Sequence, residues 1–185
     1  VALEKAPPKQ LLDLGCGCGN LISAVRDRCD PRCCEKQWEC CGCGNIIEIS
    51  RGRISRFLCY GIDISSGNVE AARSKHLENI FLGDSERIDE ILSPGMTFEL
   101  ILFCGLLNRQ VIPSKEKAVS ILRSALERLD PGGYIVITGY TSCHLTAEDL
   151  SLKGIEVLRR SLPGHLFKNY ENYFLRQLYV GRKTK

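Results

Sequence analysis

Two kinds of side chain are spaced for chemistry in this sequence: carboxylates at the ends of apolar runs, and thiols in a crowd. Asp13 lies in the run Leu11-Leu12-Asp13-Leu14, two residues before a turn built on Gly15, Gly17 and Gly19. Asp63 closes a second run that begins near Arg56, and Asp84 ends a third, Asn79 to Gly83. A glycine turn between an apolar strand and a helix lets a ligand approach the backbone at a helix N-terminus. The dinucleotide fingerprint requires glycine at positions 15, 17 and 20, yet position 20 is Asn. A pyrophosphate gains nothing from the charge of Asp13, whereas a ligand with a cationic amino-acid end does. An acid at the end of the second strand can accept hydrogen bonds from both hydroxyls of a ribose, which makes Asp63 the candidate. It follows the turn by well over twice the roughly 20 residues of an undisturbed β-α-β unit. The excess is an insertion over about residues 29–53.

That insertion holds six of the 11 cysteines: Cys29, Cys33, Cys34, Cys40, Cys41 and Cys43. Tetrahedral zinc takes four thiolates in two close pairs, and Cys29 with Cys33 or Cys34, plus Cys40 with Cys43, can supply them. A loose reducible loop, or disulfides in an oxidised sample, would use the same residues. Trp38 is a candidate apolar anchor within the segment. Cys16, Cys18, Cys104 and Cys143 fall at expected strand ends around one crevice, where a soft acceptor would be met, or where chance in a cysteine-rich chain places them. Candidate bases are few: His144, just beyond the fifth strand, and Tyr140, which could orient a hydroxyl. His76 and His165 read as partly exposed polar residues.

The elements that must position these groups follow from periodicity. Helices are expected from Gly19 to about Arg28, from Gly67 to Lys75 after a Ser65 or Ser66 cap, and from Ser114 to Leu129, where Ala118, Ile121, Leu122 and Ala125 form an apolar stripe. Asp84 can equally cap a helix over Glu86 to Leu92. Strands are expected near Leu11, Phe57, Ile80, Phe98 to Gly105 and Ile135 to Thr138. Thr146 with Asp149 reads as a capping box. Gly154 to Leu162 and Tyr173 to Arg182 then form a closing hairpin joined by a polar link.

Leu12-Asp13-Leu14-Gly15-Cys16-Gly17-Cys18-Gly19 resembles the first motif of the class I S-adenosylmethionine-dependent methyltransferases, and Leu129-Asp130-Pro131-Gly132-Gly133 before an apolar strand is a second match to that family. The resemblance implies an α/β, doubly wound, mostly parallel seven-stranded sheet with a C-terminal antiparallel hairpin strand, as one domain over residues 1–185. It places the methionine part of the cofactor at Asp13, Gly15, Cys16, Gly17 and Gly19, the ribose at Asp63 beside Ile64, and the adenine at Asp84 beside Ser85. Cys104 ends the fourth strand at the same site, and Leu106 to Gln110 lies where the family meets its substrate. No N-P-P-Y or D-P-P-Y follows that strand, which disfavours exocyclic base amines and glutamine side chains.

Composition sets the remaining expectations. The chain has 185 residues, 44% of them hydrophobic, and a net charge of +3, which calls for no nucleic-acid or membrane partner. No apolar run reaches the length of a membrane span, and no leader pattern opens the sequence, so a reducing cytoplasm is expected. The expected activity is methyl transfer to a small molecule. RNA or protein as acceptor is the alternative, suggested by the basic residues after Lys153, and a non-catalytic cofactor- or metal-binding module is a further one.

Overall fold

The computed structural model describes residues 9–28, 58–140, 143–161, 166–169 and 172–184. In chain order these form β1 (Gln10–Leu14), α1 (Asn20–Arg28), β2 (Leu58–Asp63), α2 (Ser66–Arg73), β3 (Ile80–Leu82), a 3-10 turn (Ser85–Arg87), α3 (Ile88–Ile91), β4 (Phe98–Cys104), α4 (Lys115–Glu127), β5 (Leu129–Tyr140), α5 (Ala147–Ser151), β6 (Ile155–Arg160), β7 (Leu166–Asn169) and β8 (Asn172–Lys183). The sheet runs β3-β2-β1-β4-β5-β8-β6. Pairs from β3 through β5 are parallel, and β8 is antiparallel to both β5 and β6. This is the expected seven-stranded order with its antiparallel hairpin strand.

One strand went unforeseen. The polar link before β8 contains β7, whose residues Leu166 to Asn169 pair with Leu175 to Asn172. β8 thus pairs with β7 through its first residues and with β5 from Arg176 onward. Because Arg176 lies opposite Tyr140 at the end of β5, the β7–β8 ribbon projects past the carboxyl edge of the sheet.

Alternation explains the layers, apart from an irregularity between Phe98 and Leu100 that puts Phe98 on the face of Ile101 and Phe103. In β4, Phe98, Ile101 and Phe103 enter the main core with Leu12 and Leu14 of β1, while Leu100 and Leu102 face the opposite layer with Leu11, Leu21 and Val25. A strand covered on both faces needs apolar residues on both, which is why β4 reads as an unbroken run. The rings of Tyr60 and Phe98 meet edge to face at 5.5 Å within the main core. α4 begins at Ser114, whose hydroxyl accepts from the Lys117 N–H, and it buries Ala118, Ile121, Leu122 and Ala125 as the stripe requires. Because β1 is flanked by β2 and β4, successive crossovers leave in opposite directions there, opening a crevice at the carboxyl ends of these strands. Among the described residues no helix is long and apolar enough to cross a membrane.

Candidate functional site

The turn after β1 is built from three residues with positive φ: Gly15 at 70°, Gly17 at 55° and Gly19 at 71°. The Gly15 and Cys16 N–H groups both donate to the Ile62 carbonyl, at 2.9 and 3.1 Å, which fastens the turn to β2. The Gly17 N–H donates to Asp63 Oδ2 at 2.8 Å. Asp63 Oδ1 accepts from the Ser65 N–H at 2.9 Å and from Asn68 Nδ2 at 3.1 Å. A single carboxylate therefore holds the glycine turn and the start of α2 together. Behind the turn, Lys75 Nζ donates to the Cys18 carbonyl at 2.7 Å and to Asn20 Oδ1 at 2.6 Å.

The crevice beside the turn is a cavity of about 760 Å³, and Gly15, Gly17, Asp63, Ile64, Asp84, Ser85 and Cys104 all line it. Seven expected site residues, distant in sequence, thus meet at one place. Ile64 is 72% exposed, an apolar side chain held open at the cavity wall. Asp84 performs both tasks read from the sequence: it lines the cavity, and its Oδ1 caps the 3-10 turn by accepting from the Glu86 N–H at 2.9 Å. That N–H, and then Lys117, hold its carboxyl below the usual range against the effect of burial. Lys117 lies 3.2 Å from Asp84 and 3.3 Å from Glu86, and also lines the cavity. Sequence reasoning missed Lys117, because nothing local links the first turn of α4 to the end of β3.

Other expected residues lie elsewhere. Asp13 is 1% exposed and is not among the residues lining the cavity. Burial, and then the charge of Asp63, push its carboxyl up to about 7, and its Oδ1 has no hydrogen-bond partner among the described residues. The Cys16 side chain turns into a separate apolar cluster with Ile22, Val69, Ala72, Leu77 and Ile80. Its thiol is pushed up to about 12 by burial and by the charges of Asp13 and Asp63, so it is inert packing. Cys143 is buried in the main core, and burial raises its thiol as well. The expected crevice of thiols does not assemble; of Cys16, Cys18, Cys104 and Cys143, only Cys104 lines the cavity.

His144 is a staple. Its N–H donates to the Leu107 carbonyl at 3.0 Å, and its Nε2 lies 2.9 Å from the Ile112 carbonyl. A carbonyl oxygen only accepts, so Nε2 carries the proton. His144 does not line the cavity, although it fixes the loop that does. Tyr140 ends β5, while the zinc candidates Cys29, Cys33, Cys40 and Cys43, together with Trp38 and His165, lie outside the described residues. Among the described residues there is no group of His, Cys, Asp or Glu suited to a metal ion.

The far wall of the cavity comes from the loop after β4, including Leu106, Asn108, Val111, Ile112 and Pro113. This loop is bridged to the segment after β5 through Asn108 and Cys143. The sequence located its first half, but Val111 to Pro113 carried no recognisable signal.

A family model described as a methyltransferase domain matches residues 1–172. No protein of curated function matches the sequence. Similar solved structures include an S-adenosylmethionine-dependent methyltransferase from Methanosarcina mazei, 12% identical with a TM-score of 0.63, covering 97% of this chain and 94% of that one. The N-methyltransferase NodS from Bradyrhizobium japonicum, in complex with S-adenosyl-L-homocysteine, is 12% identical with a TM-score of 0.61 over 100% of this chain and 82% of that one. Magnesium protoporphyrin IX methyltransferase from Synechocystis, with bound S-adenosylmethionine, is 14% identical with a TM-score of 0.61 over 96% and 71%. At these identities the likeness is one of fold. With the family match spanning most of its length, the chain belongs to the methyltransferase-domain family and is a class I S-adenosylmethionine-dependent methyltransferase.

Proposed function

We propose that this single-domain enzyme transfers the methyl group to a small molecule bound beside the cofactor in the 760 Å³ cavity. The observation that carries the reading is the convergence of the glycine turn, Asp63 and Asp84 on that cavity. The residues fit the cofactor. Asp63 has four accepting positions and three donors, and a ribose hydroxyl can take the remaining one. A second hydroxyl would replace Asn68 Nδ2, the one side-chain donor of the three. Asp84 keeps an acceptor toward the cavity for the adenine amino group, with Ile64 as the apolar surface beside the base. Asp13, with its Oδ1 unpartnered among the described residues, lies two residues before the turn, and its ionised form would favour the ammonium of the methionine part. When bound, the cofactor supplies a methyl group on a sulfonium.

Size supports a small acceptor. The cavity lies within the roughly 300–1,000 Å³ of small-molecule sites, a scale that suits the cofactor and a small acceptor better than a macromolecule. The protein's work is to hold the two in line and exclude water. RNA remains the alternative acceptor; the exposed Lys153, Arg159, Arg160 and Arg182 that motivate it do not line the cavity.

Calorimetric titration of the reduced protein with S-adenosylmethionine and S-adenosylhomocysteine tests the reading, with micromolar binding expected. Asp63→Ala removes three hydrogen bonds to a charged acceptor and should weaken S-adenosylhomocysteine about 100-fold, a loss of about 3 kcal/mol. Unchanged affinity in that variant would sink the ribose assignment.

A further inference from the structure

Two buried amide oxygens near Gly139 have no hydrogen-bond partner among the described residues: Oδ1 of Asn108 and Oε1 of Gln177. They lie on one face of the sheet. Gln177 is directly opposite Gly139 across the β5–β8 ladder, and opposed residues present their side chains to the same face. A Cβ added to Gly139 would point at Asn108 Oδ1 from 2.4 Å. Asn108 is 3% exposed and also borders the cavity, with its Nδ2 end toward Gly105. Buried polar atoms are almost always satisfied, so two orphans around one glycine mark a place where something is missing.

One movement would offer Gln177 Oε1 a donor and turn Asn108 Oδ1 toward the cavity. A half-turn of the Asn108 amide about Cβ–Cγ exchanges its ends. Nδ2 then faces the Gln177 side as a donor, and Oδ1 faces Gly105 and the cavity as an acceptor. Resting on the function proposed above, we propose that the methyl acceptor is an amine whose N–H is received by Asn108 Oδ1, with Gln177 holding the Asn108 amide in place.

The chemistry selects an amine among nucleophiles. An amide oxygen only accepts, so the atom it meets must carry hydrogen. Its partial negative charge opposes a phenolate or thiolate and complements a nitrogen that becomes positive during transfer. A neutral alcohol carries hydrogen but must lose it to react well, which calls for a general base. The two carboxylates that line the cavity are engaged, Asp63 by three donors and Asp84 by Glu86 and Lys117; Asp13 does not line it, and the Nε2 of His144 is held by Ile112. A neutral amine needs no base before attack. Its lone pair forms the N–C bond as the C–S bond breaks and that electron pair stays on sulfur. The sulfonium charge passes to nitrogen, which afterwards releases a proton to water.

The test uses the full chain and a panel of isosteres: phenethylamine and N-methylphenethylamine against phenethyl alcohol, phenethyl thiol and phenol. Each is titrated into protein saturated with S-adenosylhomocysteine, and each is assayed for methyl transfer. Amines should bind and react, with kcat/KM rising up to the pKa of the amine itself and moving when that pKa is changed. Asn108→Ala should weaken amine binding to the saturated protein at least tenfold and leave S-adenosylhomocysteine affinity within twofold. Gly139→Ala, whose Cβ displaces the amide, should do the same. Gln177→Glu keeps an acceptor for Nδ2 and should preserve KM, whereas Gln177→Leu should raise it. Amine binding untouched by Asn108→Ala, binding of phenol or thiol in place of amines, or no amine binding to the saturated protein would each overturn the proposal. Failure to bind S-adenosylhomocysteine at all would instead strike the cofactor reading.

Discussion

The two walls of the cavity are built on opposite principles. On the side of β1, β2 and β3, backbone N–H groups and carboxylates already hold one another: Asp63 ties the turn to α2, and Asp84 caps the 3-10 turn while pairing with Lys117. On the side of β4, β5 and β8, the cavity is bordered by an apolar loop that carries Asn108, whose amide oxygen has no partner among the described residues. A wall whose hydrogen bonds are satisfied in advance is rigid and suits an invariant ligand. A wall that keeps unsatisfied acceptors holds its binding energy for the molecule that completes it.

Three substitutions sharpen or break this contrast. The largest effect is expected at Asp13, whose buried Oδ1 has no partner among the described residues. Its carboxyl is raised in the folded protein, so the folded state binds the extra proton, and stability falls as pH rises from about 4 through about 7. Asp13→Asn should abolish that fall and raise stability at pH 8 by on the order of 2 kcal/mol, while weakening S-adenosylmethionine. Thermal melts across pH, with and without ligand, check both; a variant with the wild-type pH slope would remove Asp13 as its source. Next, Asp84→Asn keeps the cap but loses the charge, and a five- to tenfold loss of S-adenosylhomocysteine affinity, about 1 kcal/mol, should appear by calorimetry. An equal loss of affinity for the amine probes would show that the walls are not independent. Smallest is His144→Phe, which removes the proton held by the Ile112 carbonyl. It should lower stability by about 1 kcal/mol and raise KM for acceptor by a few-fold, leaving cofactor affinity alone.

The contrast also explains what the sequence made legible. Asp63 and Asp84 could be read because each ends an apolar run, and strand order then carries them to one edge. Position along the chain was enough. Asp13 and Cys16 were assigned by their place in the motif; the fold buries the first and turns the second into the cluster with Ile22 and Leu77. A motif gives the backbone path and not which way a side chain faces. Lys117, Gln177 and Gly139 depend on approaches across long sequence separations, which no local pattern encodes. His144 was marked as a candidate base for lying beyond β5, and the same location makes it a clamp on the loop after β4. β7 was hidden because its four residues pair with β8 across a short link that reads simply as polar.

The position of β8 in the sheet also has a kinetic consequence. β6 precedes β8 in the chain yet pairs with it alone among the described strands, and β8 lies between β5 and β6. During synthesis, β6 must wait for β8 to emerge before either edge closes. The nascent enzyme can therefore assemble the pocket for its shared reagent first and acquire its choice of partner last, when Gln177 leaves the ribosome.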